Sequence, residues 1–334
     1  MRTSPLIAVL LAAAPVLAAE HATWDDYVKA NRYQCPGPFD TLAKPRKLTL
    51  GGKRYVHTGY KLEVQNPDAD DVVRIGVVSA IKDATPATKK NLAAALAWFK
   101  QKGVEWVIAN GDLAVEELDL EETLRALGDS GLPVLVMPGN SESKAAFTRV
   151  FKSVGASQPG LVNGVLVRQI IADDVEFWTL PGYFDRAYVH QGAGCAYGEA
   201  DVEALRAKLK PSGKVPLAIV SHGPPLGAGP GALDFITDKR NVGDPHLARL
   251  LRELVVPVGL FGHILEAGGA AVGADLSTPV AAGQAVSALY VNAGSVSADP
   301  WKLNDGTSSH GMAMVVTIGG GTAQYELKRF EPAE

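Results

Sequence analysis

The sequence predicts an α/β fold with much parallel sheet, arranged as two sheets with helices on their outer faces. Three observations lead there. Short apolar runs alternate with stretches of helical spacing from Val72 onward. The C-terminal end, Met312 to Phe330 broken at Gly319-Gly320-Gly321, reads as an antiparallel hairpin. At 334 residues and 47% hydrophobic content, the chain is long enough to bury a large core.

The N-terminus stands apart from this pattern. Arg2 is followed by an apolar run, Leu6 to Ala14, then Pro15 and Val16-Leu17-Ala18, which reads as a secretory signal over 1–18 cut after Ala18. The run is too short for a membrane anchor, so a secreted or periplasmic protein without an integral membrane segment in its mature chain is expected. Residues 19–70 read as an N-terminal extension. They contain a loop around Cys35-Pro36-Gly37-Pro38 and a hairpin, Lys47–Leu50 and Lys53–His57, turning at Gly51-Gly52. Cys35 and Cys195 are the only cysteines. In an oxidising compartment they either bridge or stay free, and spacing leaves both open. A bridge would tie the extension to the domain and disfavour the unfolded chain by about 4–5 kcal/mol.

The main domain is expected over 71–334. Val72–Val78 reads as a buried strand, and a helix over Asn91 to Lys102 follows the Thr85-Pro86 start signal, with Leu92, Ala95, Leu96 and Phe99 on one face. A strand at Val104–Ala109, a helix at Leu120–Leu127 and a strand at Pro133–Met137 come next. Further strands are expected near Val165–Ile171, Val175–Leu180, Pro216–Val220, Val256–Phe261 and Ala288–Val291, with helices near Glu199–Leu209 and His246–Leu254. With 32 basic against 36 acidic residues the net charge is −4, which excludes the basic footprint of a nucleic-acid binder.

Ligands of open α/β folds gather at the carboxyl ends of strands. Here those ends carry Asn110-Gly111-Asp112, Pro138-Gly139-Asn140-Ser141-Glu142, Ser221-His222-Gly223 and Gly262-His263-Ile264-Leu265. Taken singly, each is ordinary: a Gly-Asp is most often a turn, and a lone His most often a structural residue. As an ordered series they offer a carboxylate, an amide oxygen and two imidazoles, a donor set suited to a divalent transition ion such as Mn, Fe or Zn.

This series resembles the calcineurin-like metallophosphoesterases over about Val72 to Phe330, and Asn292-Ala293-Gly294-Ser295 looks like the Asn-x-Gly-Ser that follows in that family. The resemblance implies a four-layer α/β/β/α sandwich with two metals sharing an Asp. Asp112 falls on the shared position, and Asn140, His222 and His263 on the other ligands of one site. The other site departs from the pattern: Ala80 stands for the family Asp, Lys82 for the His, and Leu265 for the last His of Gly-His-x-His. Ser141 replaces the His usually placed against the phosphoryl group, while Glu142 matches the acidic end of its motif.

One metal on Asp112, Asn140, His222 and His263 is therefore expected. Asp112, Asn140 and His222 are the catalytic candidates, and Lys82 and Ser141 the anion-binding ones. Lys82 is expected to pair with Asp112, its ammonium standing where the missing ion's charge would be. Alternatively it is simply a solvated residue past a strand. The functional expectation is a phosphoester hydrolase with weak or no activity toward a phosphorylated small molecule. The rival reading is a non-catalytic module that binds phosphate, a metal or a protein.

Overall fold

The computed structural model describes residues 33–39, 44–189, 194–210, 212–213 and 215–332; the expected signal over 1–18 and the first part of the extension lie outside them. The first three strands, β1 (Arg46–Leu50), β2 (Lys53–Thr58) and β3 (Lys61–Val64), form an antiparallel meander whose Gly51-Gly52 turn takes two positive φ angles, as the sequence requires. Then come β4 (Val72–Val78), α1 (Pro86–Gln101), β5 (Trp106–Asn110), α2 (Glu117–Gly128), β6 (Val134–Met137), α3 (Lys144–Gly155) and β7 (Leu161–Asn163). They are followed by β8 (Gln169–Ile171), β9 (Glu176–Leu180), α4 (Glu199–Lys208), β10 (Leu217–Ser221), α5 (Pro245–Glu253) and β11 (Val258–Phe261). The chain ends with β12 (Ala271–Val272), β13 (Leu289–Asn292), β14 (Trp301–Lys302), β15 (Ser308–Ser309), β16 (Met312–Gly319) and β17 (Thr322–Arg329).

Two large sheets result. The six-stranded sheet runs β17-β16-β4-β5-β6-β7 and the nine-stranded sheet β1-β2-β3-β8-β9-β10-β11-β13-β12. In the first, β4, β5, β6 and β7 are parallel and the C-terminal hairpin adds antiparallel strands. In the second, β9, β10, β11 and β13 are parallel. Ile75, Ile108 and Leu135 meet Phe177, Val220 and Leu260 in one core between the sheets. A second core joins the six-stranded sheet to α1, α2 and α3 through Leu92, Phe99, Leu124 and Phe147. A third joins the nine-stranded sheet to α4 and α5 through Val202, Leu205, Leu247 and Leu251. The layers are therefore helix, sheet, sheet, helix. Among the described residues, no helix is long and apolar enough to cross a membrane.

Two sequence expectations need correction. The single strand expected over Val165–Ile171 is a crossover: β7 ends in one sheet and β8 begins in the other. The run is apolar because the crossover is largely buried; Leu166 turns outward, and Asn163 Oδ1 caps the turn by accepting from Val165 N at 2.9 Å. Helix α3 was not expected, yet Ser143 Oγ caps it by accepting from Ala146 N at 3.1 Å, and Phe147, Val150 and Val154 make its buried stripe. Cys35 and Cys195 form a disulfide with Cα atoms 5.2 Å apart, joining the segment before β1 to the loop before α4.

Candidate functional site

The parallel strands of both sheets end on one side, and a buried amide ties the two ends together. Asn110, the last residue of β5, donates through Nδ2 to Ser221 O at 2.8 Å and Leu260 O at 3.1 Å across the sheet interface. Its own carbonyl accepts from Ser79 Oγ at 2.8 Å and faces His222 Nδ1 at 2.8 Å. With Nδ1 committed to that carbonyl, His222 presents the Nε2 lone pair to the cleft, the tautomer a metal ligand needs.

Nε2 of His222 lies 3.0 Å from Asn140 Oδ1 and 3.3 Å from Asp112 Oδ1. One ligand atom each from Asp112, His222 and His263 falls within 4.8 Å of the others. The four donors expected from the strand ends thus converge. Both His222 and Asn140 are buried, and His263 is half-buried against the cleft. Glycines make the approach possible: a Cβ on Gly139 would strike Asp112 Oδ1 and come within 2.7 Å of His222 Nε2, and one on Gly111 would strike His222 Nδ1.

Hydrogen bonds hold each donor. Asp112 Oδ1 accepts from Ser141 N at 3.0 Å, so Ser141 contributes its backbone to the site while its side chain lines the cleft. Asn140 Nδ2 donates to Tyr188 O at 2.6 Å, which aims Oδ1 inward. Glu142 is buried and clasps the two loops, accepting from Ala114 N at 3.0 Å, Gly139 N at 2.7 Å and Leu113 N. Asn292, the first residue of the Asn-x-Gly-Ser sequence, donates to Ile264 O at 2.8 Å and steadies the loop that carries His263. Tyr183 stacks on His263 with ring centroids 3.8 Å apart, while its hydroxyl donates to Val242 O at 3.0 Å.

The electrostatics suit a cation. Burial works to raise the Asp112 carboxyl, but the facing imidazoles of His222 and His263 overcome it and hold the group well below the usual carboxylate range. For His222, burial opposes the charged form and Asp112 outweighs it, leaving a net upward shift. Glu142 is pushed up, first by burial and then by the charge of Asp112. A carboxylate, an amide oxygen and two imidazoles, preorganised and partly desolvated, fit a divalent ion.

At the three positions that the resemblance gives to the other ion stand Ala80, Lys82 and Leu265, none of which carries a carboxylate or an imidazole. Ala80 and Leu265 are buried and carry no lone pairs. Among the described residues, the only other grouping of potential ligand side chains is Asp68, Asp70 and Asp174, in a separate acidic cluster that also contains Asp173. Lys82 corrects the expected ion pair: its backbone N donates to Asp112 O at 3.0 Å, but its Nζ lies over the Trp301 ring, 4.9 Å from the centroid. The ammonium thus lies against the cleft wall rather than on the Asp112 carboxylate. The cleft has a volume of about 330 Å³, with Tyr188, Trp301, Ile236 and Val242 among its walls. Tyr183, Tyr188 and Trp301 were not expected, because single aromatic residues between the main strands and helices carry no spacing signal.

No protein-family model matches the sequence, and no curated protein matches it. Solved structures do. One superposes with a TM-score of 0.53 at 14% identity, covering 78% of this chain and all of that one. The protein TT1561 of Thermus thermophilus gives 0.50 at 12% identity, over 77% of this chain and 99% of that one. A dimetal phosphatase from Danio rerio gives 0.48 at 14% identity, over 78% and 100%. At these identities the likeness is one of fold alone.

Proposed function

We propose that this is an exported protein of metallophosphoesterase fold that keeps one divalent-metal site and hydrolyses phosphoric esters slowly. The observation that carries the reading is the convergence of Asp112, Asn140, His222 and His263 at the joined ends of the two sheets. Asp112, Asn140, His222 and His263 would hold a divalent ion (Mn, Fe or Zn), which would supply charge to polarise a phosphoryl oxygen and to lower the pKa of water. The chain's own residues do the rest. Asp112, Asn140 and His222 fix the donor geometry, Ser141 and Lys82 face the incoming phosphorylated small molecule from the rim, and the apolar walls exclude water. Export is supported by the N-terminal apolar run and by the Cys35–Cys195 disulfide.

A second reading, a non-catalytic binding module, is favoured by Ala80 and Leu265. A two-metal centre clamps both the attacking and the leaving oxygens, and these side chains offer nothing to hold the second ion. Metal content by mass spectrometry, with turnover of p-nitrophenyl phosphate and bis(p-nitrophenyl) phosphate, separates the two readings. The expected result is one Mn, Fe or Zn per chain, slow metal-dependent turnover, and loss of both in Asp112→Ala. Metal without turnover selects the binding module. An ion retained by Asp112→Ala overturns the assignment of the site.

A further inference from the structure

Away from the strand ends, the core between the sheets opens to the surface. At one side of the sandwich, β7 is the last strand of the six-stranded sheet and β1 the last of the nine-stranded one. A groove of about 360 Å³ lies there, lined by residues of the β1–β3 meander, of α3 and of β7. That volume is within the range of small-molecule sites, about 300–1,000 Å³. The floor is core material: Leu62, Val162 and Val167 are buried and belong to the inter-sheet cluster, against which Leu48 packs half-buried. Phe151 and Leu166 form the wall, and Leu166 is 53% exposed.

The charge around the groove has one sign. Arg46 and His57 face each other across β1 and β2, and Lys152 adds a third basic group from α3. Among the described residues, none that lines the groove is acidic. Arg46 and Lys152 are exposed and have no side-chain partner among the described residues. His57 Nε2 is engaged with Gly59 O at 2.8 Å.

We propose that this groove binds a long-chain fatty-acid anion, its acyl chain on the apolar floor and its carboxylate between Arg46 and Lys152. A guanidinium fork matches a carboxylate bidentately, and the unpaired cations supply the charge complement. The floor argues against a peptide. Every peptide N–H and C=O needs a partner, whereas among the described residues Thr148 and Asn163 offer the only uncharged polar side chains on the groove apart from His57, whose Nε2 is engaged. An acyl chain asks for none.

The test uses the purified full chain with cis-parinarate as a fluorescent fatty acid and oleate as competitor. Parinarate is expected to bind and to be displaced by oleate, with oleyl alcohol at least about tenfold weaker for want of a charge-assisted hydrogen bond. The Arg46→Glu/Lys152→Glu double variant alters two exposed side chains and is expected to lose at least about tenfold in affinity with its circular dichroism unchanged. Thr148→Trp, which fills the groove from the exposed face of α3, should abolish binding, while Lys82→Gln in the other cleft should leave it intact. No parinarate binding, equal affinity for oleyl alcohol, full affinity in the double variant, or loss of binding in Lys82→Gln would each overturn the proposal.

Discussion

The resemblance groups Asn140, His222 and His263 with Asp112 at one ion, and Ala80, Lys82 and Leu265 at the other. The chemistry of the two sets differs completely, yet each contains residues held at positive φ. Asp112 and His263, in the donor-bearing half, have φ angles of +52° and +65°. Ala80 and Lys82, in the donor-free half, have +46° and +69°. Such angles cost a non-glycine residue about 1–3 kcal/mol and persist only where the surroundings impose them. Around Ala80 the imposing contacts are visible: its N donates to Gly111 O at 2.9 Å, and its carbonyl accepts from Ser295 Oγ at 2.7 Å. The loop is thus shaped by main-chain and serine contacts rather than by ligand side chains, which explains how it keeps its form without them. Asp and His, the residues the resemblance places at these two positions, are several-fold enriched at positive φ, whereas Ala and Lys are not.

The largest expected effect comes from refilling the empty half. If the backbone there still has the geometry of a metal site, Ala80→Asp, Lys82→His and Leu265→His together should raise the metal content from one ion per chain to two. Turnover of bis(p-nitrophenyl) phosphate should rise on the order of 10²-fold, the usual worth of one preorganised charge-stabilising group. Mass-spectrometric metal counting and initial rates read both. A triple variant that folds but still holds a single ion would break the comparison, showing that the two halves share φ angles without sharing donor geometry.

How much of this was legible in the sequence follows from where the information sits. Largely buried strands write themselves as short apolar runs, aliphatic in β4 and β10 and aromatic in β9, so these three could be placed to within a residue or so. Asp112, Asn140, His222 and His263 could be found because each sits one to three residues past such a strand, beside a glycine. The crossover between β7 and β8 was hidden, because a buried connection carries the same apolar run as a strand; its Arg168 is paired internally, donating to Gly37 O at 2.6 Å and Thr179 O at 2.9 Å. Helix α3 was hidden for a different reason, since its three-residue stripe is short and Ser141-Glu142-Ser143 before it reads equally as a loop. The direction of Lys82 had no local signal. A lysine beside a vacated charge suggests an ion pair, and only the fold reveals that Trp301, 219 positions along the chain, gives the ammonium another resting place.

A smaller effect sharpens the donor-bearing half. Gly139→Ala would place a methyl group against Asp112 Oδ1 and His222 Nε2, so both donors must move apart. Overpacking of this kind costs about 1–3 kcal/mol, and denaturant unfolding should show it as a lowered midpoint with an unchanged slope. Metal affinity should fall with it. Gly273→Ala meets nothing closer than Val280 at 3.9 Å and should change neither by more than about 0.5 kcal/mol. Equal stability for the two variants would mean that the close approach of the loops carries no constraint.

The smallest expected effect concerns the one charged group of the donor-free half. Lys82 is half-buried, lines the cleft and lies over Trp301 without pairing to Asp112. An anion entering the cleft therefore need not break an ion pair to gain the ammonium, but it gains only a solvent-screened charge, worth about 0.2–1 kcal/mol. Lys82→Gln, which keeps much of the length without the charge, should weaken inorganic phosphate binding by about two- to fivefold in calorimetry at low salt. Lys82→Arg should restore most of it. The difference should disappear near 1 M salt, where the screening length shrinks to about 3 Å. Phosphate affinity that is indifferent to Lys82→Gln at low salt would leave the donor-free half with no electrostatic function, and the contrast with its neighbour would then be one of presence against absence.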